Sequence, residues 1–212
     1  MPAEVLKVSA EKPDPQILRY AAGFIHSGQV VALPTDTLYG LAADPFNLAA
    51  VQQIYVIKGR PEQRPLPILV NSIAQATLLM RDISENFLKL ARTFWPGALT
   101  LIVDASRRIP LKVTGNSGRV ALRLPNSAIA CGLIEMAETP LTGTSANLSG
   151  FPPCSNAEQV FKQVGDRLPL ILDGGDTGVT LASTIVDLHD EEWQISREGG
   201  VSESQIREAL AE

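Results

Sequence analysis

The last three apolar runs of the chain, at residues 170–172, 184–188 and 194–196, stand too close together for helices to cross between them. Strands at that spacing need hairpins or loop connections, so the sheet they join must contain antiparallel pairs. Upstream the pattern changes. Apolar runs at 30–33, 68–70, 99–103, 119–124 and 141–144 alternate with stretches of helical periodicity. About seven or eight strands with helices between them predict an α/β fold, a twisted mixed parallel/antiparallel sheet with flanking helices. Hydrophobic residues make up 45% of the 212 positions, enough for a sizeable core.

The helices carry their own punctuation. Across residues 47–58 the apolar stripe runs through Leu48, Val51, Ile54, Tyr55 and Ile57. Asn47 is placed to cap its start, and Gly59 and Pro61 to stop it. Further helices are predicted at 74–80, 85–95 (ended by Pro96-Gly97), 127–137, 157–164 and 202–210, the last with Ser202 as its cap. Proline and glycine sit at element ends and gather in no linker. Residues 1–212 therefore read as a single domain.

The net charge is −5. A protein that grips nucleic acid usually carries a basic stripe, because phosphate neutralisation supplies most of the affinity. Direct nucleic-acid binding is thus expected to be weak, local or made through a partner. Cys131 and Cys154 have neither CxxC spacing nor nearby histidines and read as small core hydrophobes. The N-terminus has acids and prolines but no apolar segment. No apolar run reaches the ~20 residues that a bilayer requires. A cytoplasmic protein with no membrane partner is the expectation.

Several segments carry polar chemistry at strand ends, where α/β proteins place ligands. Pro34-Thr35-Asp36-Thr37-Leu38-Tyr39-Gly40 follows a buried run. It reads either as a ligand loop or as a turn closed by an Asx hydrogen bond from Asp36. Lys58, Arg60 and Arg64 crowd one short stretch of an acidic protein. The helix dipole accounts for Lys58 at a helix end, but not for the other two, and an anion site accounts for all three. In the strand at 119–124, period two puts Arg119, Ala121 and Arg123 on one face, with the arginines about 13 Å apart. That face is either solvated or a pair of anion grips. Residues 142–150, Thr-Gly-Thr-Ser-Ala-Asn-Leu-Ser-Gly, offer hydroxyls, an amide and backbone N–H groups at close range. Ser183 begins one strand and Arg197 follows another. His26 and His189 are isolated, and Asp173-Gly174-Gly175-Asp176 reads as a turn, not a metal site. There is no P-loop and no GxGxxG fingerprint.

In order along the chain stand PTDTLYGLA from Pro34, KGRP from Lys58, Pro65-Leu66, RVALRLP from Arg119, TSANLSG from Thr144, STIVDL from Ser183 and REG from Arg197. This ordered set resembles the YrdC-type L-threonylcarbamoyladenylate synthases over about residues 17 to 200. Pro67 stands where many of those proteins carry a histidine. The resemblance implies a large, positively lined concave cavity in a short, single-domain form of the family. It implies an enzyme that condenses L-threonine, bicarbonate and ATP to threonylcarbamoyl-AMP and pyrophosphate. The adduct would serve N6-threonylcarbamoyladenosine formation in tRNA, through hand-over to a separate transferase.

By motif, threonine would be held by Thr35, Tyr39, Arg123, Ser145 and Ser183. ATP would be held by Lys58, Arg60, Arg119, Asn147, Ser155 and Arg197. Lys58 and Arg60 would be the catalytic cations, Mg²⁺ would come with the nucleotide, and no protein metal site is implied. The residues suit that chemistry. A carbamate is already an anion, so its attack on the α-phosphorus needs alignment and charge neutralisation, not an enzyme nucleophile. The rival reading is a nucleotide- or double-stranded-RNA-binding maturation factor without turnover.

Overall fold

A computed structural model describes residues 2–179, 181–189 and 192–211. Its elements run β1 (Glu4–Lys7), α1 (Pro15–His26), β2 (Val31–Leu33), β3 (Gly40–Ala42), α2 (Leu48–Lys58), β4 (Ile68–Leu69), α3 (Ile73–Thr77), α4 (Glu85–Phe94), β5 (Leu99–Asp104), β6 (Arg119–Arg123), α5 (Ala128–Ala137), β7 (Leu141–Thr142), β8 (Thr144–Ser145), α6 (Ala157–Val164), β9 (Leu170–Asp173), β10 (Thr184–His189), β11 (Glu192–Arg197) and α7 (Glu203–Ala211). Among the described residues no helix is long and apolar enough to cross a membrane.

The mixed α/β architecture expected from the sequence is present, with the strands divided between two sheets. One has the order β1-β9-β2-β3-β8 and the other β11-β10-β5-β6-β4-β7. Both mix parallel and antiparallel pairs: β9 lies parallel to β1 and β2, while β10 lies parallel to β5 and antiparallel to β11. The closely spaced runs at the end of the chain resolve accordingly. β10 and β11 form a hairpin, and β9 belongs to the other sheet.

The run at 141–144, expected as one strand, is two. Leu141–Thr142 pairs with β4 in the second sheet, and Thr144–Ser145 pairs with β3 in the first. The chain changes sheet at Gly143. A β-carbon there would stand 2.5 Å from the Leu69 side chain, so a bare backbone is what allows the passage. Gly143 lines the cleft between the two sheets.

Local signals explain the helices. Asn47 caps α2 by accepting from the Ala49 and Ala50 amides, and Gly59 ends it in the left-handed conformation. Ser202 accepts from the Gln205 amide at the start of α7. On the second sheet, one face of β5, β6, β10 and β11 carries Leu101, Val120, Leu122, Val186 and Ile195 into the larger core. The opposite face, one residue out of phase, belongs to the site. Three elements were not foreseen: β1, α1 and β3. α1 has its start signal in Asp14, which accepts from the Gln16 amide, and in Pro15.

Candidate active site

β6 displays its residues as period two requires. Asp104 registers with Arg119 and Ile102 with Ala121 on the face away from the core. The two arginines, however, meet different surroundings. Arg119 Nη1 donates to Asp104 at 3.1 Å, and Nη2 donates to Asp187 and, at 2.6 Å, to Leu188 O. His189 Nδ1 lies 3.0 Å from Nη1, so that histidine is not isolated. Two carboxylates hold Arg119, and it is not among the residues lining the cleft.

Arg123, at the other end, lines a cleft of about 290 Å³ between the sheets. Its Nη2 pairs with Asp36 at 2.7 Å, Nη1 donates to Thr37 Oγ1 at 2.8 Å and Nε donates to Gly97 O at 2.9 Å. A guanidinium has five N–H donors, so two remain for a ligand. The turn at 35–38 is closed by Thr35, not by Asp36. Thr35 Oγ1 accepts from the Thr37 amide at 3.2 Å and donates to Leu38 O at 2.8 Å, which spends its proton on the loop. Asp36 instead faces Arg123.

Thr35, Tyr39, Arg60, Arg123, Ser145, Ser183 and Arg197 are brought together around the cleft. Tyr39 contributes as a buried wall. Its hydroxyl donates to Gly175 O at 2.7 Å, and burial, followed by the charge of Asp173, raises its pKa. Pro67 also lines the cleft, with Thr100, a residue to which no sequence motif pointed.

Lys58 and Asn147 lie against the cleft wall, outside its lining. Lys58 is 3% exposed. Its Nζ donates to the carbonyls of Ser145 and Asn147 and to Asn147 Oδ1 at 3.3 Å. The helix-dipole account of Lys58 therefore gives way to a tertiary one: the side chain fastens the loop at 145–147 to the end of α2. Asn147 spends its own N–H groups on Leu148 O and Phe151 O, at 2.9 and 2.7 Å. Ser155 lies outside the cleft lining and donates to Asp176 at 3.2 Å. The side chain of Arg64 is exposed, and its carbonyl accepts from Arg60 at 3.4 Å.

The electrostatics favour an anion. Burial lowers the Lys58 ammonium to about 7, with the nearby charge of Arg60 adding to the fall. Burial also pushes down Arg60, Arg123 and Arg197, and Arg123 further depresses Arg197. Among the described residues the only ion pair these four cations make is Arg123–Asp36. Among the described residues Arg60 Nε is buried without a partner. A buried donor left unmade costs about 1–3 kcal/mol, which an anionic oxygen would offset.

Arg197 reaches the cleft through an irregularity. Val186 registers with Ile195, but Ile185 registers with Arg197, so a bulge at Ser196 breaks the ladder. Without it, alternation would turn Arg197 to the helix-covered face with Trp193 and Ile195. With it, Nη2 donates to Ser183 O at 2.8 Å and to Ser183 Oγ at 3.0 Å. Gly199 then packs flat on the strand entrance, where a β-carbon would stand 2.3 Å from Ala182 O.

The fold and this cleft define a mixed α/β protein with a cation-lined cleft between two sheets. The chain belongs to the Sua5/YciO/YrdC family, whose model, described as "Telomere recombination", matches residues 23–199. It is 40% identical over 92% of its length to the threonylcarbamoyl-AMP synthase of Pyrococcus abyssi. It is 38% identical over 93% to that of Bacillus subtilis. It spans 57% of the length of each. Its structure matches that of P. abyssi Sua5 complexed with L-threonine at a TM-score of 0.94 and 38% identity, covering 98% of this chain and 61% of that one.

Proposed function

We propose that this chain makes L-threonylcarbamoyl-AMP from L-threonine, bicarbonate and ATP, for use in tRNA modification. The observation that carries the reading is the convergence of Arg60, Arg123 and Arg197 with Ser145 and Ser183 on one cleft, where a single carboxylate, Asp36, offsets their charge. The relatives named as threonylcarbamoyl-AMP synthases, and the related structure holding L-threonine, support the choice of substrate.

In this reading the free N–H groups of Arg123 take the threonine carboxylate, with Ser183 donating beside it and Ser145, whose hydroxyl donates to Asn147 Oδ1, lining the wall. Thr35 and Tyr39 shape the wall. Arg60 and Arg197 grip the ATP phosphates. Lys58 and Asn147 hold the Ser145 loop in place from behind, and Ser155 stands farther out on the nucleotide side. Mg²⁺ would come with the ATP phosphates. The threonine amine and bicarbonate give a carbamate and water. A carbamate oxygen then bonds to the α-phosphorus as the bond to pyrophosphate breaks. Two anions must approach each other, and the cleft cations lower that repulsion.

We further read residues 1–212 as one functional unit of cytoplasmic type, with the adduct passed to a separate transferase. The decisive test is mass spectrometry of the product from ATP, L-threonine and bicarbonate. Formation of threonylcarbamoyl-AMP with no RNA present is expected. ATP turnover indifferent to threonine, or tight RNA binding that weakens steeply with salt and no turnover, would sink the proposal.

A further inference from the structure

Thr100 sits in mid-β5 with its neighbours Leu99 and Leu101 in the core, yet its own side chain lines the cleft. It is 3% exposed, and its hydroxyl lies 2.8 Å from that of Ser183, itself 5% exposed. Ser183 Oγ also receives an N–H from Arg197 at 3.0 Å. Among the described residues neither hydroxyl makes another hydrogen bond.

A proton count shows what this arrangement does. The two hydroxyls own two protons, and the bond between them uses one. Arg197 has no acceptor capacity, so its contact with Ser183 consumes a lone pair and no hydroxyl proton. One O–H therefore remains, on a pair closed off from solvent, and the cleft is the space it faces. If Thr100 donates to Ser183, both Ser183 lone pairs are filled and the Ser183 proton points at the ligand. A buried donor without an acceptor is costly, so the pair selects a ligand oxygen there. With the Arg197 guanidinium alongside, an anionic oxygen fits best.

We infer that Thr100 is a positioning residue of the site, holding Ser183 as a hydrogen-bond donor to a carboxylate oxygen of the amino-acid substrate. The inference rests on the proposed function for the identity of that substrate. It extends the reading by assigning direction to the Ser183 contact and a purpose to a threonine buried in an apolar strand.

The test is L-threonine binding by calorimetry, together with KM values for threonine and ATP, in the wild type, Thr100→Val, Thr100→Ser, Ser183→Ala and the Thr100→Val/Ser183→Ala double variant. Valine keeps the shape of threonine and removes the hydroxyl. Thr100→Val is expected to weaken threonine binding about tenfold, the scale of one hydrogen bond to a charged group, while ATP KM stays within about twofold. Thr100→Ser should restore most of the affinity. The double variant should be no weaker than Ser183→Ala, because Thr100 acts through Ser183. Threonine affinity unchanged in Thr100→Val, a fully additive double variant, or a shift confined to ATP would overturn the inference. A wild type that binds threonine but makes no adduct would instead overturn the synthase reading, leaving the comparison of dissociation constants to decide the role of Thr100.

Discussion

At one end of β6, Arg119 is bonded to Asp104, Asp187 and a backbone carbonyl; four residues away on the same face, Arg123 shares one carboxylate with a cleft that also holds Arg60 and Arg197. The strand treats the two arginines alike, and their neighbours separate them. Where acids match or outnumber cations, the guanidinium is spent on tying β5, β6 and β10 together. Where cations outnumber acids, the same group keeps donors and surplus charge for a ligand. The position of a charged residue on a strand face therefore says which way it points, and the local count of opposite charges says what it is for.

The strongest challenge to this contrast lies behind the cleft. Lys58→Ala should lower threonine-dependent pyrophosphate release by about 100-fold, the scale of a small misplacement of the binding groups on the loop it fastens, while the protein stays folded. Turnover near wild type would show that the Ser145 loop does not need its fastener. Next, Arg123→Ala should raise the threonine KM roughly 30-fold or more, since a charge-assisted pair is worth about 1.5–3 kcal/mol. A rise in ATP KM alone would reassign that arginine. The same variant strands Asp36 in a largely buried site, so a melting curve should record a loss of roughly 3 kcal/mol, partly recovered in Arg123→Ala/Asp36→Ala.

At the far end, Arg119→Ala should cost about 1–2 kcal/mol of stability and leave both KM values within about twofold, because its partners are partly exposed. A clear catalytic defect there would erase the distinction between the two ends.

A separate effect concerns pH. Unfolded, Lys58 keeps its proton up to about 10.5; folded, burial brings release down to about 7. Between those values the unfolded chain binds more protons, so this residue makes stability rise with pH, and below about 7 its cost is fully present. Urea titrations of Lys58→Met across that range should show a flatter pH profile than wild type. An identical slope would mean that the folded ammonium keeps its proton.

Much of this was legible in the residues. The alternation in β6 placed both arginines correctly, and Asn47 and Gly59 marked the ends of α2 because caps are local signals. Helix α1 had a comparable signal in Asp14-Pro15, but an N-terminal stretch rich in acids and prolines obscured it. The division into two sheets was not legible, since strands as short as Gly40–Ala42 and Thr144–Ser145 carry too few residues to show a period. Nor was the fate of Arg119, whose carboxylate partners lie 15 and 68 positions away in sequence. Lys58 was found for an incomplete reason: its charge was visible, but the carbonyls that hold it belong to a loop nearly ninety positions later.

The bulge at Ser196 gives the β10–β11 hairpin a parity. Loss of Ser196 would leave the arginine opposite Ile185 in a regular ladder, still turned toward the cleft, whereas one extra residue paired regularly beyond the retained bulge would swing the guanidinium to the far side of the sheet, and a second would return it. A single-residue insertion after the bulge could thus take Arg197 out of the cleft while leaving every other side chain in place.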